Sequence, residues 1–322
     1  MKSILLTIIV ALVAASLAMA QVVTRSEAEP NVYKAVDHRL STSNLSRLED
    51  DIRKYAEDKD ARIGVAVIVN HTDTVAYNGQ RDFPMMSVFK FPLSLAVAQW
   101  VDSRGASLND SIAVRPEFMR ANTYSPMFDK YGKSSPTLPV SELVNWSLVY
   151  SDNNACDILL DLIGGTAAAD SLLTSLSVGK DITIGATEAE MDADHYLIYL
   201  NRSTPVAMAV LFDHFDRELR HRSANFGMIA TMLEQCNTGT DRLPAALDSN
   251  ATIGHKTGTG FTTAEGRLTA LNDCGYIRLP DGTIYSIAIF VADSGYDMNS
   301  TAKMIADISR IVLSAVQSGA AE

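Results

Sequence analysis

Apolar residues in this chain change their spacing twice, and that change constrains the fold more than any other feature. Residues 62–70 carry Ile63, Val65, Val67 and Val69, the period-two signature of a strand, and 74–77 supplies a hairpin partner across a polar turn. From Met86 to about Gln235 the spacing becomes helical. Apolar runs at 87–101, 140–150, 154–163, 204–220 and 223–235 are separated by Gly, Pro, Asp and Ser clusters. After Lys256 the strand pattern returns at 268–279 and 283–293, around the turn Pro280-Asp281-Gly282. Amphipathic helices are predicted at 41–57 (Leu45, Leu48, Ile52, Tyr55) and at 299–317 (Ala302, Ile305, Ile308, Ile311, Val312). Strands from both chain ends with helices between them predict an α+β fold, an antiparallel sheet flanked by terminal helices plus an inserted all-α domain. The expected division is a discontinuous α/β domain from 21–82 and 238–322 and an all-α domain at 83–237, with the site at their interface.

A leader precedes this pattern. Lys2 is followed by a 15-residue apolar run, Ile4 to Ala18, shorter than the ~20 residues of a spanning helix. It ends in Ala18-Met19-Ala20, so residues 1–20 read as a secretory signal peptide cleaved before Gln21. No later run would span a bilayer, and the expected product is exported, periplasmic and free of the membrane. The formal net charge of −11 argues against a nucleic-acid partner. With 47% apolar and 20% charged residues the chain is neither disordered nor fibrous. Cys156, Cys236 and Cys274 are odd in number and lack C-x-x-C spacing, so no functional disulfide is expected. Cys156 lies in an apolar helical run and reads as a buried thiol. His38, His71, His195, His214, His221 and His255 form no H-x-H-x-D or H-E-x-x-H pattern, so neither a metal nor another cofactor is expected.

Three short motifs carry chemistry. In Ser87-Val88-Phe89-Lys90, three residues of helix rise ~4.5 Å and make roughly one turn, so Ser87 and Lys90 share a face. A Ser hydroxyl attacks only when a base takes its proton. Burial of Lys90 among Phe83, Phe89 and Phe91 is expected to lower its pKa and make it that base. Pro92 should distort the first turns of the helix. Ser177–Lys180 and Ser300–Lys303 repeat the S-x-x-K pattern, but neither lies in so apolar a helix. Ser151-Asp152-Asn153, before a helical run, reads equally as an N-cap. In Lys256-Thr257-Gly258-Thr259, a cation and two hydroxyls beside a glycine suit a carboxylate; the same stretch also fits a plain strand exit.

Ser87, Ser151 and Lys256 follow one another at intervals of 64 and 105 residues. In that order the S-x-x-K, S-D-N and K-T-G motifs resemble the penicillin-recognising serine enzymes, and within them the class A serine β-lactamases. The resemblance implies hydrolysis of the β-lactam amide of penicillins and cephalosporins through a seryl acyl-enzyme, and so antibiotic resistance. The partner is then a small-molecule β-lactam, and the enzyme a monomer. Ser87 becomes the nucleophile, Lys90 or Glu188 its base, and Ser151 a proton relay to the lactam nitrogen. Backbone N–H groups of Ser87 and Thr259 become the oxyanion hole. Lys256, Thr257, Gly258, Thr259 and Arg242 hold the substrate carboxylate, Asn153 its side-chain amide, and Tyr124 stands at the cleft mouth. Glu188, 101 residues after Ser87, falls where the family keeps the carboxylate that activates the deacylating water; Glu190 is its competitor.

The loop around Glu188 departs from the usual pattern. Ala186 stands where an Arg is common, Ala189 where a cis-Pro is common, and Asp192 where an Asn shares the water. A cis bond before Ala costs ~3 kcal/mol, so a trans bond and a rearranged loop are expected. Asp192, a second carboxylate, is expected to act on the pKa of Glu188. These changes resemble the extended-spectrum, cephalosporinase-leaning branch and suggest a cleft wide enough for oxyimino cephalosporins. A penicillin-binding D-alanyl-D-alanine peptidase and a non-hydrolytic β-lactam-binding sensor share Ser87, Lys90, Ser151 and Lys256; the position of Glu188 weighs against both.

Overall fold

The computed structural model describes residues 40–177 and 180–319. The leader expected at residues 1–20 lies outside the described residues. In chain order the elements are α1 (Thr42–Ala56), β1 (Arg62–Val69), β2 (Asp73–Tyr77), β3 (Phe83–Pro84), α2 (Lys90–Asp102), β4 (Ser111–Ala113), α3 (Pro126–Tyr131), β5 (Thr137–Pro139), α4 (Val140–Val149), α5 (Asn153–Ile163) and α6 (Thr166–Ser175). They continue with β6 (Ile182–Thr183), α7 (Glu188–Ala193), β7 (Arg202–Ser203), α8 (Pro205–Arg217), α9 (Ala224–Glu234), β8 (Thr252–Thr259), β9 (Leu268–Arg278), β10 (Ile284–Ser294) and α10 (Met298–Gly319). The long sheet strands and terminal helices start within about two residues of the sequence expectation. Apart from β2, elements of six residues or fewer were not separately legible, nor were α6 and β8.

The main sheet has five antiparallel strands in the order β2-β1-β10-β9-β8. The two ends of the chain meet at its centre, with Ile63 opposite Val291 and Val65 opposite Ile289. Successive side chains of a strand point to opposite faces, and both faces here are covered, so the central strands are apolar almost throughout. Ile63, Val65, Val67 and Val69 join Tyr285, Ile287 and Ile289 in a cluster with Leu48 and Ile52 of α1 and Ile305, Ile308 and Val312 of α10. Ala66, Ile68, Ala288 and Phe290 face the other way, into a cluster with Phe91 of α2, Phe212 and Phe215 of α8 and Phe226 of α9. Stacking of Phe91 on Phe212, with ring centroids 4.1 Å apart, joins α2 to α8 within that layer.

Helix starts follow from local chemistry. Ser41, Asp152, Thr187, Thr204 and Ser223 each accept a backbone N–H with the side chain at an N-cap, and Pro205 occupies the first position of α8. The three cysteines are free thiols, with Cys156 buried on α5 as expected. No helix among the described residues is long and apolar enough to cross a membrane.

Candidate active site

The S-x-x-K segment is a 3-10 turn, Met86–Phe89, running into α2. Pro92 has no N–H to close a normal helical bond back to Val88, and the tightened first turn is the distortion anticipated from the sequence. Met86, just before Ser87, has φ 46. A non-glycine residue in the left-handed region costs about 1 kcal/mol, and such strain gathers at functional sites. α2 is buried nearly all round, so Lys90 has no route to solvent and is fully buried. Its Nζ donates to Ser87 Oγ at 3.1 Å, Ser151 O at 2.8 Å and Asn153 Oδ1 at 2.6 Å. It also lies 2.8 Å from Glu188 Oε1.

These partners overturn the expectation that Lys90 has a lowered pKa. Burial is the largest single influence and pushes the ammonium down, but the Glu188 carboxylate, with Cys156 and Asp152 adding to it, outweighs burial, and the net direction is up. Lys90 is therefore a cation that donates to Ser87, and has no lone pair with which to take its proton.

Both readings of Ser151-Asp152-Asn153 apply, to different residues. Asp152, fully buried, caps α5 by accepting Ala155 N–H at 2.8 Å, and also accepts Ser125 Oγ and Met127 N. That anchor holds Ser151 at φ 60, where its hydroxyl accepts from Lys256 Nζ at 3.0 Å. Asn153 donates from Nδ2 to Thr123 Oγ1 at 2.9 Å, and its backbone N–H reaches Tyr124 O at 3.0 Å. Tyr124 itself is 60% exposed at the cleft mouth.

Lys256, Thr257, Gly258 and Thr259 are the last four residues of β8, an edge strand, so the strand-exit reading holds for their place in the fold. Lys256 is fully buried. Burial lowers its pKa to about 8, with Lys90 and Arg242 adding to the fall and Cys236 and Asp273 opposing it. Gly258 passes so close to the Ser87 turn that a Cβ there would stand 2.4 Å from Met85 O. A glycine is required for that approach. The open edge of β8 is covered by 236–242. Thr238 Oγ1 meets Thr257 Oγ1 at 2.6 Å, and Arg242 donates to Gly258 O at 3.1 Å and Thr259 Oγ1 at 2.7 Å. Arg242 is 7% exposed, and burial lowers its pKa.

Glu188 opens the short helix α7. Asp157 on α5 holds the start of that helix, accepting Glu188 N–H at 2.8 Å and Ala189 N–H at 2.9 Å. Burial, with the Glu188 carboxylate alongside, raises Asp157 to about 6. Arg120 ties Asp157 at 2.8 Å to Asp192 at 2.9 Å. Asp192 thus has a cationic partner of its own, which the sequence reading did not foresee. Ala186 leaves no salt bridge at the loop's entrance; Asn201, fully buried, takes over. Its Oδ1 accepts Gly185 and Ala186 N–H at 2.8 and 2.9 Å, and its Nδ2 donates to Ala186 O at 2.9 Å. The Glu188–Ala189 bond is trans, because no cis peptide occurs among the described residues. Glu190, the competitor, is exposed and occupied in a capping box with Thr187.

One cleft of about 530 Å³ is lined by Ser87, Tyr124, Ser151, Asn153, Glu188, Arg242, Thr257 and Thr259. Lys90 and Lys256 stand just behind its wall, and Gly258 is joined to it through Arg242. A hollow of about 640 Å³ between α1 and α10 contains none of these residues. Of the two other S-x-x-K matches, Lys303 lies exposed on α10 paired with Asp307 at 2.6 Å, and neither Ser177 nor Lys180 lines the cleft. Thr238, Met191 and the His195–Phe261 ring pair (centroids 4.5 Å apart) also line the cleft and were missed. They belong to no motif, and only the folding of distant loops brings them there. No cluster of His, Cys, Asp and Glu suited to a metal occurs among the described residues.

Residues 47–316 match the beta-lactamase enzyme family. A β-lactamase of Bacteroides uniformis is 36% identical over 280 residues, which are 86% of this chain and 94% of that one. The extended-spectrum β-lactamase PER-1 of Pseudomonas aeruginosa is 31% identical, across 82% of this chain and 85% of its own. The crystal structure of a class A β-lactamase from Bacteroides cellulosilyticus superimposes with a TM-score of 0.81 at 35% identity, covering 85% of this chain and 99% of that one. A match that runs through all three motifs, on a backbone of the same architecture, leaves one conclusion: the chain belongs to the β-lactamase family, as a class A serine β-lactamase.

Proposed function

We propose that Ser87 attacks the lactam carbonyl with Glu188, acting through a water, as the base for both halves of the reaction. The observation that carries this is the state of Lys90. Held as an ammonium by Glu188 at 2.8 Å, it positions Ser87 Oγ and steadies developing negative charge, while the carboxylate takes the proton. As the lactam C–N bond breaks, the Ser151 hydroxyl, which accepts from Lys256 Nζ, passes a proton to the departing nitrogen. Backbone N–H groups of Ser87 and Thr259 stabilise the oxyanion, typically ~3 kcal/mol for each donor. Lys256, Thr257 and Thr259, with Arg242 behind Thr259 and Gly258, take the substrate carboxylate; Asn153 and Tyr124 border its side chain. Glu188 then deprotonates the water that cleaves the seryl ester.

The substrates proposed are penicillins and oxyimino cephalosporins, since the loop bearing Glu188 is closed by Asn201 and Asp157 and contains no cis bond. The stretch 83–237, expected to be all-α, also holds the short strands β3 to β7; we read it as a mainly helical domain on a sheet domain built from 21–82 and 238–322, and the enzyme as an exported monomer with residues 1–20 removed. A hydrolysis profile with mass spectrometry of the mixed protein tests the reading. Turnover of both substrate types, with the protein returning to its free mass, is expected. A lasting Ser87 adduct would overturn hydrolysis in favour of a sensor or peptidase. Efficient benzylpenicillin turnover with none of an oxyimino cephalosporin would overturn the substrate range.

A further inference from the structure

β8 has a second cluster of reactive groups that the lactam chemistry leaves unused. Cys236 lies two residues beyond α9, partly exposed, whereas Cys156 and Cys274 are buried. Its sulfur is 3.4 Å from Thr238 Oγ1, and because Thr238 meets Thr257 at 2.6 Å, Cys236 is brought to the stretch of β8 that holds His255, two residues before Thr257. His255 in turn meets Asp273 Oδ1 through Nδ1 at 2.8 Å, so the carboxylate occupies only one of its two ring nitrogens. His255 and Asp273 are 3% and 0% exposed, so the pair has a fixed geometry. Gly275 opposite His255 makes room for it, since a Cβ there would stand 2.7 Å from the His255 Cβ. Thiol, imidazole and carboxylate in this order are what a nucleophilic cysteine needs.

We propose that Cys236 is a modification site: a thiolate oriented by His255 and Asp273 that exchanges with low-molecular-weight disulfides, the product altering substrate binding through Thr238 and Thr257. In the exchange the thiolate's electron pair forms a bond to one sulfur of the small disulfide. The old S–S bond breaks, and its pair leaves with the second sulfur as a free thiolate, so no further oxidant is required. The charged groups around Cys236 are His255 and Lys256 from β8, Asp273 from β9 and Arg242 from the following loop. Burial pushes the thiol up, but His255 and Lys256 outweigh it and bring Cys236 to about 6; Asp273 and Cys236 hold His255 at about 10 against burial. The link to the cleft is short. Thr238 touches Cys236 on one side and Thr257, at 2.6 Å, on the other. A group added to the sulfur displaces Thr238 and removes a negative charge that supports the Lys256 ammonium.

The exchange stands on its own; the effect on binding rests on Thr257 and Lys256 as carboxylate ligands. The full-length protein is treated with 4,4′-dithiodipyridine from pH 4.5 to 9 and followed by intact mass and peptide mapping. One adduct is expected, on Cys236, with a rate midpoint near pH 6. At pH 6.5 the thiolate fraction is about 70-fold that of an ordinary thiol. Lower nucleophilicity cancels roughly a factor of ten, leaving exchange about sevenfold faster. Cys236→Ser should give no adduct, and His255→Asn should move the midpoint toward 8.5. Labelling only after denaturation, or a native midpoint at 8 or above, would overturn the site, and the native profile decides even if His255→Asn does not fold. In the second arm, the adduct is expected to raise KM for a β-lactam about threefold or more, reversibly with dithiothreitol. An unchanged KM in fully derivatised protein would overturn the link to the cleft. Absence of hydrolysis by the untreated enzyme would instead count against the proposed function, and the labelling arm is read without it.

Discussion

Two lysines separated by a single serine hydroxyl and backbone carbonyl are buried in this site, and they are held differently. Lys90 has a carboxylate at 2.8 Å and stays charged; Lys256 lacks one at that range and falls to about 8. The consequence is a pH limb. Lys256 is charged below about 8 and neutral above it, so attraction for a substrate carboxylate is present at low pH and lost as pH rises through that value. KM is expected to rise above pH 8 in steady-state assays, and Lys256→Arg, whose side chain stays charged, should flatten the rise. Glu188→Gln removes the carboxylate that both activates water and counterbalances Lys90. Acylation should slow, but Lys90, released from that carboxylate and left to the effect of burial, can take the Ser87 proton; deacylation should slow the more, by about 10²–10⁴-fold, and a Ser87 adduct should accumulate in the mass spectrum. Equal turnover in that variant would move the base elsewhere.

At the scale of elements, the loop carrying α7 shows how a missing ion pair is replaced. Asn201 satisfies two N–H groups and one carbonyl of Gly185 and Ala186, all in a buried setting. Asn201→Ala strands those groups, at a cost of about 3 kcal/mol. The expected result is a lower thermal midpoint together with slower acylation and slower deacylation, measured by pre-steady-state kinetics. A variant with a lowered midpoint but unchanged deacylation would show that Asn201 supports the fold without positioning Glu188. Neither Asn201 nor Asp157 stands out in the sequence. Each is a single polar residue in or beside an apolar run, and its partner is a backbone group 15 or 31 residues away.

For the whole molecule, the sheet is a shared wall. Its odd-numbered β1 positions face α1 and α10, and Ala66 and Ile68 face the helices that carry Ser87 and Ser151. Stability and chemistry can therefore be perturbed separately. Ile305 of α10 is fully buried on the face away from the cleft. Ile305→Ala should lower unfolding free energy by 2–5 kcal/mol, roughly the usual range for a core truncation, in denaturant titration. KM should stay within about twofold, since no cleft residue touches that face. A large KM change would mean that the two layers are coupled through the sheet.

Periodicity alone determined four of the five strands of the main sheet, the terminal helices and most of the helical middle, because burial on one or two faces leaves a repeat in the order of side chains. Ser87, Ser151 and Lys256 were legible because each sits in a short motif, whereas Glu188 was placed only through the family resemblance. Tertiary structure decided what those groups are. A lysine among phenylalanines reads as a base until Glu188 from a distant loop arrives beside it. Cys236 reads as an unremarkable thiol until β8 and β9 bring His255 and Asp273 together. Protonation depends on charge within a few ångströms in a poorly screened interior, and that proximity has no trace in sequence order.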